Sequence, residues 1–144
     1  MPSYNFPAII EGGSEGSYIV RFPDLPEALT FGTTVADAAH AAVDCLREAL
    51  RGRIRDMEPI PAPSQDVPDA HIIAPPAEMA AKAAVYDAFR RGNVTRVALA
   101  GKLKVDESEI RRILDPAHRT KLDRLEQAAK ALGGRLEVSF VPFA

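Results

Sequence analysis

The chain has 144 residues, 47% of them apolar and 26% charged, which is the balance of an ordinary globular protein of one domain or two small ones. No apolar run approaches the roughly 20 residues that span a membrane, and the opening MPSYNFPAIIEGG lacks the basic start and apolar core of a signal peptide. Cys45 is the single cysteine, so an intrachain disulfide is excluded and a cytoplasmic protein with a plain buried thiol is expected.

The net charge of −2 hides a split. Residues 1–74 carry five Lys/Arg and eleven Asp/Glu, and residues 75–144 carry thirteen and nine. An acidic first half and a basic second half suggest a basic partner for one and an anionic partner for the other.

Tyr4 to Ile10 is expected as a strand, followed by the turn Glu11-Gly-Gly-Ser-Glu-Gly16. Ser17 to Phe22 alternates, with Tyr18, Val20 and Phe22 on one face, and should pair with the first strand as an antiparallel hairpin. Pro23-Asp24-Leu25-Pro26 ends it, and Ala28 to Gly32 forms a short third strand. Thr34 caps a helix whose apolar positions are Val35, Ala38, Ala39, Ala42, Val43, Leu46, Ala49 and Leu50, with Gly52 near its end. Met57 to Pro68 holds four prolines and is irregular; Ala70 to Ala74 returns as a fourth strand.

Pro75-Pro76 marks the boundary between an expected α/β domain, residues 1–74, and a second domain, residues 75–144. The second opens with an Ala-rich helix, Glu78 to Arg91, closed by Gly92. Asn93 to Leu114 then contains two short helices. Thr95 caps the first, with Leu99, Ala100 and Leu103 on one side. Asp106 caps the second, with Glu109 placed to complete a capping box and Val105 and Ile110 to form a hydrophobic staple. Ile110, Ile113 and Leu114 are its buried side. Two short helices with a tight turn make a helix-turn-helix. Lys104 stands where that turn usually has glycine, which strains it. Thr120 caps a last helix with Leu122, Leu125, Ala128, Ala129 and Leu132 on one side, stopped by Gly133-Gly134. Arg135 to Val141 alternates as a strand. Without a partner in its own domain, it is expected to pair with a second copy through Leu136, Val138 and Phe140. The fold class is therefore α+β: a small antiparallel sheet with one helix, then a four-helix helix-turn-helix domain with a dimerising strand.

No catalytic constellation, metal-ligand spacing or phosphate-cradling glycine pattern is present, so no cofactor is expected. Between Arg90 and Lys121 there are nine Lys/Arg and four Asp/Glu. Arg111 and Arg112 lie opposite Ile110 and Ile113, where arginine can pair bidentately with guanine; Ser108 and Glu109 are near the helix start, where base edges are met. Thr95, Arg96, His118, Arg119, Thr120 and Lys121 suit phosphates. These helices could also simply pack a bundle; the agreement of apolar pattern, caps and basic surface favours DNA. Asp106, Glu107 and Glu109 repel phosphate and point to modest affinity per copy. A metal-dependent nuclease built on Glu11, Asp24 and Asp37 is the weaker alternative, and a ligand-sensing regulator is another.

Two stretches carry a resemblance. Residues 18–50, YIVRFPDLPEALTFGTTVADAAHAAVDCLREAL, and residues 97–136, with the run Arg111-Arg-x-Leu-Asp-Pro-x-His-Arg119, together resemble the HicB family of bacterial antitoxins, in its subgroup with a C-terminal helix-turn-helix. The chain departs from it at Glu27-Ala28, where many members have Gly-Cys, and at Lys104. The resemblance implies a truncated ribonuclease-H-like fold without metal-binding acids, a HicA-type RNA-cleaving toxin as partner, and repression of the toxin–antitoxin operon. A toxin-facing surface is then expected around Tyr18, Phe22, Asp24, Leu25 and Phe31.

Overall fold

The computed structural model describes residues 3–143. Met1, Pro2 and Ala144, at the ends of the two expected domains, lie outside the described residues.

The first hairpin follows from its alternation. Strands β1 (Phe6–Gly12) and β2 (Tyr18–Phe22) pair antiparallel with Ile10 opposite Val20. β1 begins at Phe6 rather than Tyr4, whose side chain turns to α2, its hydroxyl 3.4 Å from both the Asp87 carboxylate and the Ala83 carbonyl. Strand β3 (Leu25–Gly32) starts three residues earlier than expected. Phe22 pairs directly with Leu25 across Pro23-Asp24, with a bulge between Arg21 and Phe22. β3 is an edge strand, the one place in a sheet where a proline such as Pro26 is tolerated. Strand β4 (His71–Ile73) pairs with β1, giving the antiparallel order β3-β2-β1-β4.

Helix α1 (Val35–Arg55) lies across one face of this sheet. Thr34 caps it as expected, accepting from the Asp37 amide at 3.0 Å. Ala38, Ala42, Leu46, Ala49, Leu50 and Ile54 are buried, while Val35 stays exposed in the first turn. The helix does not stop at Gly52: burial of Ile54 carries it another turn, until Met57 adopts a left-handed φ of 57°. Gly32 is where β3 meets the start of α1. A Cβ there would sit 2.4 Å from the Ala38 nitrogen, so only glycine permits that approach. The proline-rich segment after α1 is irregular, as its composition dictates. It is held by buried Ile60, by Arg53 donating to the Pro59 carbonyl at 2.9 Å, and by Asp24, which accepts from the Ser64 amide at 2.8 Å and from its hydroxyl.

Helix α2 (Ala77–Arg91) serves both halves of the chain. Met79, Ala83 and Tyr86 belong to the core under the sheet, and the Tyr86 hydroxyl donates to the Glu58 carbonyl at 2.6 Å. Val85 and Phe89 join a second core with Leu99, Ala100, Ile110, Ile113, Leu114 and Leu125. α2 ends at Gly92, but the residue that turns left-handed there is Asn93, with φ 51°.

Helices α3 (Arg96–Leu103) and α4 (Glu107–Leu114) are eight residues each, capped by Thr95 and Asp106 as expected. Val105 and Ile110, the staple pair, both pack in the second core. The capping box is half formed, because the Glu109 side chain turns to arginines instead of back to the cap. Lys104 joins the two helices in the left-handed region, φ 55° and ψ 44°, where glycine was missed in the sequence. Relieving a side chain there of about 1–2 kcal/mol, against a glycine entropy cost of about 0.5–1 kcal/mol, leaves a net gain. Lys104→Gly should stabilise the protein by roughly 0.5–1 kcal/mol, checked by the urea midpoint; a loss would show that the lysine makes a compensating contact.

Helix α5 (Leu122–Ala131) is not capped by Thr120. Lys121 occupies that position without a side-chain bond, and Leu122 is exposed rather than on the buried side. Gly133, with φ 91°, closes the helix. The strand expected over Arg135–Val141 has no ladder within the chain: residues 133–143 form no regular element. Leu136 is half-buried against the second core, while Val138 and Phe140 stand exposed.

Candidate nucleic-acid interface

The α4 helix is amphipathic in the sense expected. Ile110, Ile113 and Leu114 face the core, and Arg111 and Arg112 are exposed. The charges between them are partly spoken for. Arg112 donates to Glu109 at 3.0 Å, and Arg124 of α5 reaches the same carboxylate at 3.4 Å. Glu109 is therefore held between two guanidiniums rather than presented outward. Ser108 donates to Asp106, and this hydroxyl together with the Glu109 amide holds the Asp106 carboxyl below the usual carboxylate range. No ion pair involves Arg111 among the described residues. Arg96 opens α3 exposed, and the Thr95 hydroxyl is used on the Ala98 amide at 3.0 Å. Arg119 is nearly fully exposed, with Glu78 at 3.5 Å, and Lys121 is exposed beside it.

The residue that organises this surface is one the sequence did not single out. Lys82 of α2 is 4% exposed. Four oxygens surround its Nζ and share its three N–H donors: the carbonyls of Arg112 at 3.2 Å, Asp115 at 2.7 Å and His118 at 2.6 Å, and the Thr120 hydroxyl at 2.9 Å. The Thr120 hydroxyl in turn contacts the Arg112 carbonyl at 3.3 Å and His118 Nδ1 at 3.1 Å. Thr120 is thus a structural bridge, and the end of α4 and the loop after it are tied to α2 at one point. The ammonium also lies at the negative end of the α4 dipole. Burial pushes its pKa down to about 8, while Asp115 and Glu78 pull it up, so at neutral pH it keeps its proton and all three donors. A signal was present: Lys82 falls on the stripe of Met79, Ala83 and Tyr86, where a lysine must be buried and partnered or leave the helix face exposed.

On the first half, the expected partner surface is redrawn. Phe22 and Leu25, at 1% and 0% exposure, are core residues under α1 and cannot meet a partner. Tyr18 is half-buried on the same side, and the Asp24 carboxylate is occupied by Ser64. Phe31 is the exposed member of the set, and it stands on the opposite face of the sheet. There Ile19 is its cross-strand neighbour, and Leu29 and Ile72 are exposed too. Glu11 pairs with Arg21 at 3.2 Å and Asp37 accepts from Thr33 at 2.7 Å, so the three acids considered for a nuclease each have separate partners. Among the described residues no group of three potential ligands could hold a metal ion. Cys45 is half-buried, and burial followed by the nearby Glu27 charge pushes its thiol pKa up, away from nucleophile behaviour. No described helix is long and apolar enough to cross a membrane.

The described residues thus form a sheet with one helix, joined through a shared helix to a bundle with an arginine-bearing face. Residues 5–84, the sheet unit and the first half of α2, match the family described as HicB_like antitoxin of bacterial toxin-antitoxin system. The chain belongs to this HicB-like antitoxin family. It is 39% identical over 136 residues to Antitoxin HicB of Escherichia coli (strain K12), covering 94% of this chain and 99% of that one. It is 37% identical over 137 residues to Antitoxin HicB 1 of Photorhabdus laumondii, covering 93% and 85%. The similarity thus runs through the arginine-bearing helices as well as the sheet.

Proposed function

We propose that this antitoxin neutralises a small RNA-cleaving HicA-type toxin through residues 1–74 and represses its own operon through residues 75–144. It acts by binding, in the cytoplasm. On this reading the sheet with α1 is a truncated ribonuclease-H-like scaffold, and α3 with α4 is a helix-turn-helix whose second helix enters the major groove. The observation that carries the DNA half is α4 itself. Its apolar face is locked in the core, its end is tied to α2 by Lys82, and Arg111 is exposed with no ion pair among the described residues. Arg111 and Arg112 meet bases; Arg96, Arg119 and Lys121 meet phosphates. Glu109 serves this face by orienting Arg112 rather than by touching cytosine, and Thr95, Ser108, His118 and Thr120 support it through caps and the loop.

Two copies are needed on this reading, because Asp106 and Glu107 weaken each one. Val138 and Phe140 are 85% and 91% exposed, which suits a strand completed by the same segment of a second chain around a two-fold axis. The test is a titration against the protein's own promoter. Arg111→Ala with Arg112→Ala should weaken specific binding at least about 30-fold, since each good guanine contact is worth about 1–3 kcal/mol. Deleting residues 135–144 should convert a dimer to a monomer and abolish tight operator binding. Unchanged affinity in the double variant, or tight binding by the truncated monomer, would sink the corresponding part.

A further inference from the structure

The face of the sheet is not the only surface left open. β3 has β2 on one side and no strand on the other among the described residues. A groove of about 820 Å³ runs beside that free side, between β3 and the second half of α1. Four successive β3 residues, Glu27 to Thr30, line it. Side chains alternate between the two faces of a strand, so four in a row means that the groove follows the backbone edge itself. Natural edge strands are usually blocked by lysines, prolines or bulges. Here Pro26 and Glu27 guard only the start, and Ala28-Leu29-Thr30-Phe31 runs on uncharged, with Leu29 and Phe31 exposed at 65% and 68%.

The opposite wall decides what fits. Its floor is small and apolar: Ala41, Cys45 and Ala49. Five carboxylates and two guanidiniums line the groove as a whole. Arg53 is consumed by Glu27, which it grips with two bonds of 2.6 and 2.9 Å. Asp44 and Glu48, with side chains 76% and 67% exposed, carry the rim one helical turn apart; each also meets an arginine of α1 outside the groove, Arg47 at 3.7 Å and Arg51 at 3.0 Å, exposed pairs that a partner's cations can displace at little cost. A second copy of the chain would bring the same carboxylates to the same place, so pairing of two β3 edges sets like charges together. A basic partner does not meet that cost.

We propose that the free edge of β3 and the acidic groove beside it are the docking surface for the toxin, a basic protein that adds an extended strand to the sheet. The added strand completes the backbone ladder of Ala28–Phe31. Its cationic side chains lie toward Asp44 and Glu48, and its alternate apolar ones lie over Leu29 and Phe31. This rests on the neutralisation reading above and gives it a surface, in place of Phe22 and Leu25.

The test titrates a HicA-type toxin from the same organism against the full-length chain and three variants by calorimetry. Asp44→Lys with Glu48→Lys should weaken binding at least about 100-fold, because like charges then face each other; the melting curve, followed in parallel, should stay that of a folded chain. Leu29→Lys should weaken it comparably, while Ile72→Lys, at the far edge of the sheet, should leave it within about 3-fold. Hydrogen exchange of the Ala28–Phe31 amides should slow on toxin binding, as new ladder bonds require. Groove variants that bind as well as wild type, or loss of binding through Ile72→Lys instead, would overturn the proposal while leaving neutralisation intact. So would groove variants that dissociate a homo-oligomer yet still hold the toxin. A wild-type chain that binds no toxin would overturn the neutralisation reading as well.

Discussion

Replacing Lys82 by methionine should cost about 3 kcal/mol of folding stability, read as a lower urea midpoint at unchanged slope. Methionine keeps the aliphatic stem inside the helix stripe, so the loss comes from the ammonium alone. Three carbonyls and a hydroxyl converge on that nitrogen. A buried acceptor left without a donor costs about 1–3 kcal/mol, and the 115–120 loop can turn some of the four toward water, which sets the total at the low end. The effect should not stop at stability. Freed from Lys82, the loop carrying His118, Arg119 and Lys121 loses its fixed position relative to α4, and if the proposed DNA reading holds, operator binding should weaken with a shallower salt dependence, as phosphate contacts drop out. A variant as stable as the parent would show that the carbonyls find other donors. A variant that is destabilised but binds operator with an unchanged salt slope would confine Lys82 to folding.

Gly32→Ala should cost about 3 kcal/mol, at the upper end of overpacking penalties, because nothing flexible stands in the way. The added Cβ would lie 2.4 and 2.7 Å from the nitrogen and Cα of Ala38, and 2.8 Å from the Asp37 carbonyl carbon. These are backbone atoms of the first turn of α1, held by the Thr34 cap and by Thr33 donating to Asp37. To admit the methyl group, β3 and α1 must separate where the sheet and helix share their core. The variant should therefore melt earlier and show faster hydrogen exchange at the start of α1, with α5 less affected. A loss under about 1 kcal/mol would mean that the first turn shifts as a unit.

Much of the fold was legible because it is local. Thr34, Thr95 and Asp106 cap their helices where the sequence places them, since a cap needs only a side-chain oxygen three residues before a free amide. The strain at Lys104 was legible for the same reason: a turn that short demands a left-handed residue whatever surrounds it. The exceptions lie where a distant group competes for a local one. Thr120 looked like a cap and is drawn to Lys82 and Arg112 instead; Glu109 looked like the second half of a capping box and is drawn to Arg124.

Two faces of one sheet show the other limit. Alternation along β2 separates Tyr18, Val20 and Phe22 from Ile19 and Arg21, but it leaves apolar residues on both sides. Which face is core depends on where α1 lies, and α1 is placed by Gly32 and by its own buried stripe. That is why Phe22 and Leu25 went inside and Phe31, Leu29 and Ile19 stayed out. The sequence alone determined the α+β class, the order of the elements, the basic second half and the family, because these rest on periodicity, composition and motif. Only the tertiary structure decided that α2 serves two cores, that a lysine in an Ala-rich helix closes the loop after α4, and that β3 is left as an open edge. Each of these depends on how separate elements come together, as with Lys82 and its carbonyl partners 30, 33 and 36 residues away. Such a meeting leaves no mark in local pattern until the chain has closed.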